Sequence, residues 1–364
     1  MSFSLPAYIP PDFSSPEFQN AHDAAVALCD RDGVAPEGFH STSMYPEYFK
    51  LGGQWLLAAE SRMDCCVVLR GDKHLDVVEM RNLRAGDRVF LGRSEDGGEG
   101  IYLHADCFAP EGCAASDRFA FRQGRSRETA YSRDYDRLYQ LLAYEKTHGN
   151  IVWVMGPAFA FDHDARNAMQ KLIENGYAHA LLAGNALGTH DLEAGYLRTA
   201  LGQNIYTQAS EPNGHYHHLD TINAVRRSGS IPRFIEEHGI ADGIIYALVK
   251  RNIPFVLTGS IRDDGPLPEV IPSAYDGQAA MREIVREATT VICLATQLHT
   301  IATGNMAPCF RLRDGAIRPL YLYSVDISEF ATNKLADRGS LTAIGIVTNA
   351  QDFIVNVAKG VGAM

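Results

Sequence analysis

The sequence predicts an α/β protein in which a parallel sheet follows a smaller, mainly antiparallel β domain. From residue 150 onward, short apolar runs alternate with amphipathic helical segments. Strands that are separated by helices need crossover connections, and crossovers give a parallel sheet. Between residues 41 and 125, short alternating or β-branched segments are separated by Gly and Asp, as in antiparallel strands. At 364 residues, the chain has room for two domains.

The region before the parallel sheet is divided into three parts. Residues 1–40 are rich in Pro and Ser and are assigned to an arm with one short helix, because residues 17–32 carry a modest helical pattern. Residues 41–125 are assigned to the small β domain. Residues 126–149 are assigned to a connecting helix, since Ser132–His148 places Tyr and Leu residues at helical spacing. The domain boundary is placed in this last segment.

Residues 150–364 are assigned to one α/β domain. Its predicted strands lie in the segments NIVWVMGPA, AHALLAGNA, PFVLTGS, TTVICLAT, RPLYLYSVDIS and TAIGIVTNA. Helices are predicted between and after them, in ARNAMQKLIENG, HDLEAGYLRTAL, HHLDTINAVRRSG, IPRFIEEHGIADGIIYALVKRN, SAYDGQAAMREIVREA, LHTIATGNM and DFIVNVAKGVG.

The predicted strands of this domain share one feature: each stops in small or polar residues. The six ends begin at Gly156, Gly184, Gly259, Ala295, Val325 and Thr348. Ligands of open α/β sheets bind at the carboxyl edge, where small residues admit a ligand and free amides suit a phosphate. Asp326 can accept hydrogen bonds from ribose hydroxyls. A single such end is explained by a tight turn or a helix cap, but six together favour a dinucleotide site. The usual G-x-G-x-x-G fingerprint is absent.

The stretch FVLTGSIRDDGPLP places charged groups directly after a predicted buried strand. Arg262, Asp263 and Asp264 follow the strand and a Gly-Ser pair. Adjacent carboxylates beside an Arg at this edge indicate either a ligand site or a structural ion pair, and both interpretations stand at this point.

Other classes of function are disfavoured by composition and motif. A net charge of −11 argues against nucleic acid or an anionic membrane as partner. The N-terminus lacks a signal-peptide pattern, and seven scattered cysteines indicate reduced thiols in the cytoplasm. The histidine-rich segment GHYHHLD does not have zinc-site spacing, so no metal is predicted. No G-x-S-x-G occurs, which disfavours a serine hydrolase.

Three residues just beyond strand ends are further site candidates: His190, Asp191 and His299.

Four stretches resemble the lysine-ketoglutarate reductase/saccharopine dehydrogenase-linker family. That family includes the archaeal-type ornithine cyclodeaminases and the C-terminal part of a cyanobacterial bifunctional arginine-degrading enzyme. The likeness is strong over 150–364 and looser over 36–125. The stretches are GHYHHLDTINAVRRSGSI, PFVLTGSIRDDGPLPEV, ATQLHTIATGNM and YSVDISEFATNKLADRGSLTAIGIVTNA.

The resemblance implies a deoxyhypusine-synthase-like NAD-binding domain, which is a parallel sheet without the usual Gly fingerprint. Gln297 replaces a commonly apolar family residue, and Asn349 stands where Asp is expected. The implied NAD contacts are Asn185, Ala186, Asp264, Thr296, Gln297, Leu298, His299, Asp326, Asn349 and Ala350.

The resemblance further implies a deaminating cyclisation. NAD⁺ takes a hydride from the α-carbon of ornithine, the δ-amine attacks the resulting imine, ammonia leaves, and NADH returns the hydride to give proline. The protein must orient the substrate, move protons, and hold a carboxylate and a distal ammonium. The residues expected to act are Asp263 as general acid/base, and Arg262 or Arg62 as the partner of the carboxylate.

Three functions are consistent with this resemblance. The chain is an ornithine cyclodeaminase, a relative that acts on another amino or guanidino acid, or a non-catalytic NAD-binding protein. The presence of both domains favours an enzyme. A homo-oligomer is expected from the family likeness.

Overall fold

A computed structural model describes residues 3–108, 132–263, 265–313, 315–328, 330, 334 and 342–364. The first of these ranges forms two antiparallel sheets, with strand orders β1-β6-β4-β5 and β3-β2-β7, which confirms the predicted antiparallel β character. Its elements are α1 (Pro16–Asn20), β1 (Ala25–Leu28), β2 (Glu47–Leu51), β3 (Gln54–Leu57), β4 (Cys65–Arg70), β5 (His74–Glu79), β6 (Arg88–Leu91) and β7 (Ile101–Leu103), with a 3-10 turn at Met80–Asn82.

The predicted helix over residues 17–32 is wrong beyond its first turn. Helix α1 ends at Asn20, and the Ala-rich segment that follows forms strand β1 instead. Strand β1 pairs antiparallel with β6, with Ala25 opposite Leu91. The backbone hydrogen bonds offered by this strand edge outweigh the weak helical preference of a short segment.

The remaining ranges form the α/β part of the structure. Its elements are α2 (Ser132–His148), β8 (Ile151–Met155), α3 (His163–Glu174), β9 (Ala180–Gly184), α4 (Asn185–Leu197), β10 (Thr199–Ala200), β11 (Gln203–Asn204), α5 (His217–Ser228), α6 (Ile231–Glu237), α7 (Ile244–Arg251), β12 (Phe255–Thr258), α8 (Ala274–Arg286), β13 (Thr290–Leu294), α9 (Gln297–Met306), β14 (Phe310–Arg313), β15 (Ala316–Pro319), β16 (Tyr321–Asp326), β17 (Ala343–Val347) and α10 (Ala350–Gly360), with 3-10 turns at Pro157–Phe161 and Gly214–Tyr216.

The centre of this α/β part is a six-stranded sheet in the order β12-β9-β8-β13-β16-β17. Every pairing in it is parallel, which confirms the predicted α/β class. The central strands β8 and β13 are buried along their whole length, because helices cover both faces of the sheet. Trp153 at the centre of β8 donates a hydrogen bond to the carbonyl of Tyr177 at 2.8 Å.

The order of the strands defines a switch point. The chain builds β8, β9 and β12 outward in one direction, then returns to place β13 on the other side of β8. The connections after β8 and β13 therefore leave the sheet in opposite directions, and a crevice opens between their carboxyl ends. Open α/β sheets bind ligands at such a crevice.

Several predicted elements have different boundaries in the structure. The predicted strand RPLYLYSVDIS is split at Leu320, because its first part pairs with β14 in a hairpin and its second part joins the sheet as β16. The helical segment after Ile231 is two helices, separated by Gly239 and Gly243, which both have positive φ. Helix α4 begins at Asn185, earlier than predicted. Within the part of the chain that the structure describes, no helix is long and apolar enough to cross a bilayer.

Candidate functional site

A pocket of about 380 Å³ lies at the carboxyl ends of β8, β9, β12 and β13. Its wall includes residues from each strand end, among them Gly156, Gly184, Thr258 and Thr296. The predicted meeting of small and polar strand ends at one edge is therefore observed. This edge includes the switch point, so the pocket has the position expected for a ligand site.

The crevice at the switch point is shaped by the close approach of two backbones. A Cβ on Gly156 would lie 2.9 Å from the carbonyl carbon of Ala295 and closer still to its oxygen. Ala295 itself has φ of 51°, in the left-handed region. A residue other than Gly costs free energy in the left-handed region, and such residues are concentrated at functional sites. These two residues keep the crevice free of side chains where β8 and β13 end.

Helix α4 presents its N-terminus to the pocket. Its N-cap residue is Gly184, and no side chain caps the first turn. The first amides of this turn thus have no partner inside the helix, which suits an anionic group such as a phosphate. Asn185 begins the helix and is buried, and its side-chain oxygen accepts a hydrogen bond from the amide of Leu267 at 3.1 Å. Asn185, Ala186 and Leu187 line the pocket.

His299 forms another part of the wall, from the first turn of α9. A Cβ on Gly184 would lie 3.1 Å from its Cε1 atom, and its Nε2 lies 3.5 Å from the hydroxyl of Thr258. Burial lowers the pKa of His299 from its usual range. A neutral imidazole therefore lies beside the ends of β9 and β12 at neutral pH.

The charged residues after β12 reach the same pocket. Arg262 and Asp263 both line it. The Asp263 carboxylate accepts hydrogen bonds from the Ser260 amide at 2.7 Å and from its hydroxyl at 3.1 Å. Among the residues the structure describes, Arg262 has no ion-pair partner, so the alternative of an Arg262–Asp263 salt bridge is not observed. Asp264 lies outside the described residues.

The other predicted cofactor residues lie along the same sheet edge but do not line the pocket. The Asp326 carboxylate accepts a hydrogen bond from the Ser328 amide at 3.0 Å. Asn349 caps α10 through the amides of Gln351 and Asp352, and Ala350 is the buried first residue of that helix. Gln297 and Leu298 begin α9 and are exposed, Leu298 to 76 %.

Arg62 is not brought to the pocket. Its guanidinium pairs with Glu79 at 2.5 Å and donates to the carbonyl of Asn305 at 2.8 Å. Arg282 joins the same cluster through Glu79 at 3.4 Å and also pairs with Glu60 at 3.1 Å. The side chain of Arg62 thus contacts both strand β5 and helix α9, and it does not line the pocket.

Of the adjacent candidates His190 and Asp191, only His190 faces the pocket. Asp191 is buried, accepts a hydrogen bond from Arg166 Nε at 2.7 Å and caps α7 through the amides of Ile244 and Ile245. It is therefore a structural residue. His190 lines the pocket, and its Nδ1 lies 3.2 Å from Glu193.

Glu193 was missed by the sequence interpretation. The signal that was available is its spacing of three from His190, which puts both on one face of a helix. Over the ranges that the structure describes, no group of three or more His, Cys, Asp or Glu side chains is arranged to hold a metal ion.

The chain is similar to known proteins over nearly its whole length. The family model described as arginine dihydrolase ArgZ-like, C-terminal, Rossmann fold matches residues 138–357. An ornithine cyclodeaminase of Methanocaldococcus jannaschii is 36% identical over 352 residues, covering 93% of this chain and 78% of that protein. The chain belongs to the ornithine cyclodeaminase family with an ArgZ-like C-terminal domain.

Solved structures of this family share the architecture. A LOR/SDH protein from Methanococcus maripaludis S2 aligns with a TM-score of 0.82 at 35% identity, over 94% of this chain and 98% of that one. A structure of AgrE in ternary complex with ornithine and NAD⁺ aligns with a TM-score of 0.58 at 28% identity, over 94% of this chain and 46% of that one. This chain therefore spans about half of AgrE.

Proposed function

We propose that this protein is an NAD-dependent ornithine cyclodeaminase, which converts L-ornithine to L-proline and ammonia. The observation that carries the proposal is the pocket at the switch point, where an uncapped helix N-terminus, a side-chain-free crevice and two charged residues meet. The AgrE complex, which contains ornithine and NAD⁺, supports the choice of both ligands.

The residues of the pocket fit a dinucleotide. Gly156 and Gly184 line the pocket without a side chain, and a Cβ on either would meet Ala295 or His299. The first turn of α4 offers amides to a phosphate. When bound, NAD supplies reversible oxidation at the α-carbon of the substrate. We propose that it is held by the predicted contacts Asn185, Ala186, Asp264, Thr296, Gln297, Leu298, His299, Asp326, Asn349 and Ala350.

The protein's own groups bind and orient the substrate. We assign the α-carboxylate to Arg262, whose guanidinium has no partner in the described chain and can form a bidentate pair. Arg62 does not take this role, because it is bonded to β5 and α9. Asp263 accepts two hydrogen bonds from Ser260, which fix the direction of its carboxylate at the pocket wall. An ionised carboxylate in this place serves as general base or as partner of a substrate ammonium.

The runner-up is an enzyme of the same family that acts on another amino or guanidino acid. A pocket of about 380 Å³ has room for either class, and a guanidino group would also pair with Asp263. We further propose a cytoplasmic homo-oligomer, which rests on the family likeness and on the scattered spacing of the seven cysteines in the sequence.

Isotope labelling tests the proposed reaction. L-Ornithine labelled with ¹⁵N at the α-amino group is incubated with the purified protein, and proline and ammonia are analysed by mass spectrometry. We expect the label in ammonia and none in proline, because the δ-nitrogen closes the ring. Label retained in proline would refute the proposed bond cleavage. No product from ornithine, with turnover of arginine or another diamino acid, would favour the runner-up.

A further inference from the structure

A buried carboxylate on α4 is held by four hydrogen bonds behind the pocket wall. Glu193 is 0% exposed. Its Oε1 accepts from the Thr199 hydroxyl at 2.8 Å and the Gly202 amide at 3.0 Å, and its Oε2 accepts from the Leu201 amide at 3.0 Å. The fourth donor is Nδ1 of His190, 3.2 Å from Oε2. Buried carboxylates with this many donors are rigidly oriented.

The charge on Glu193 is stable in this setting. Burial alone would raise the pKa of its carboxyl, but the hydrogen bonds from His190, Gly202, Thr199 and Leu201 outweigh burial and bring it below its usual range. An ionised carboxylate can only accept hydrogen bonds, so the proton between the two side chains belongs to Nδ1 of His190. The imidazole is then fixed as the tautomer whose Nε2 carries a lone pair.

Nε2 of His190 is available to a ligand. The imidazole lines the pocket and packs against the ring of Phe161 at 5.4 Å between centroids. In the described part of the chain, Nε2 has no hydrogen-bond partner. The titratable or charged groups around the ring are Glu193 on its own helix, His218 on α5 with ring centroids 6.3 Å apart, His217 behind Thr199, and Arg262, Asp263 and His299 on the pocket wall.

We propose that His190 is a second catalytic acid/base of this pocket and that Glu193 is its positioning residue. The inference rests on the proposed function, which needs two proton transfers at the substrate's α-nitrogen. Nε2 of His190 first takes a proton from the α-ammonium group, leaving the N–H electron pair on that nitrogen. When the carbon–nitrogen bond later breaks, its electron pair goes to nitrogen, and His190 returns the proton as ammonia leaves.

Three variants separate catalysis from structure. H190Q is expected to lower kcat at least 100-fold with unchanged NAD content. E193Q removes the charge behind the imidazole, so the acidic limb of the pH profile of kcat/KM is expected to move to lower pH. T199V is the matched control, because it removes a hydrogen bond to the same carboxylate without changing the partner of His190 Nδ1. Its pH profile is expected to keep the wild-type shape, whatever its rate.

The tautomer itself is measured in the resting protein, independently of turnover. With ¹⁵N-histidine labelling, the His190 signals are assigned by their absence in H190Q, and we expect the neutral ring to carry its proton on Nδ1 and none on Nε2. A proton on Nε2 would overturn the assignment of Glu193. Turnover of ornithine by H190Q within tenfold of wild type would overturn that of His190.

The two proposals fail separately. A wild-type protein without any ornithine turnover would refute the proposed function, and the tautomer would then still decide the role of Glu193. If E193Q does not fold, the proposal is tested by kcat of H190Q and by the His190 tautomer in the wild-type protein.

Discussion

Replacing Gly156 by Ala tests whether the crevice between β8 and β13 must stay free of side chains. The new Cβ would lie 2.9 Å from the carbonyl carbon of Ala295 and 3.3 Å from Cβ of Thr296. The first separation is 0.5 Å short of the 3.4 Å at which ordinary contacts begin, and the carbonyl oxygen is nearer still. These neighbours include backbone atoms of a left-handed residue, so no rotamer change relieves the overlap, and the two strand ends must move apart.

The expected cost follows from overpacking in a buried site. Such insertions destabilise by about 1–3 kcal/mol, which corresponds to a fall in Tm of about 2–12 °C for a domain of this size. A misplacement of about 1 Å at a ligand site costs about 100-fold in binding or turnover. We therefore expect separation of the two strand ends in G156A to weaken NAD binding by up to about 100-fold. Calorimetry measures Tm, and titration of the cofactor-free protein measures NAD affinity.

A Gly-to-Ala change remote from the crevice is the control. Gly98 lies in a loop of the small domain, and a Cβ added there would meet only the side chains of Asp96 and Ser94. We expect G98A to keep the wild-type Tm within about 1 °C and to leave NAD affinity unchanged. If G156A bound NAD with wild-type affinity while its Tm fell, the crevice would be a packing feature and the reasoning would be refuted.

Three further predictions concern Arg262, Asp264 and two partly buried histidines. R262K is expected to raise KM for ornithine at least tenfold, because an ammonium cannot form a bidentate pair with a carboxylate; an unchanged KM in steady-state kinetics would remove Arg262 from substrate binding. D264A is expected to abolish copurification of NAD, and wild-type NAD content by absorbance would refute that assignment. Burial lowers the pKa of His179 and His299, so the unfolded chain binds extra protons and stability is lost as the pH falls below about 6.5. In H179Q, urea unfolding between pH 7 and 5 is expected to show a smaller acid loss than wild type, and an equal loss would contradict this.

The fold class and the position of the site were accessible from the sequence because they depend on local patterns. Apolar strands alternating with helices required a parallel sheet, and a parallel sheet brings its carboxyl ends to one edge. Gly156, Gly184, Ser260 and Thr296 could therefore be placed together without knowledge of the strand order.

The features that the sequence did not reveal depend on contacts distant along the chain. Arg62 is bonded to Asn305, 243 residues away, and no local pattern marks such a partner. Strand β1 forms because β6 offers it an edge, which outweighs local propensity. The residue type of Ala295 does not indicate the left-handed conformation of its backbone. The role of Glu193 depends on donors from the segment after α4, although its spacing from His190 was visible.

The central claim is that one pocket holds NAD and returns it unchanged after each turnover of ornithine. The direct measurement uses protein purified without added cofactor. Dinucleotide released by acid is quantified per chain, and the untreated protein is incubated with L-ornithine alone while proline and ammonia are measured. The account predicts bound NAD and many equivalents of proline and ammonia in equal amounts, with no added NADH. Turnover that stops after one equivalent, or a protein without bound or bindable dinucleotide, would contradict it.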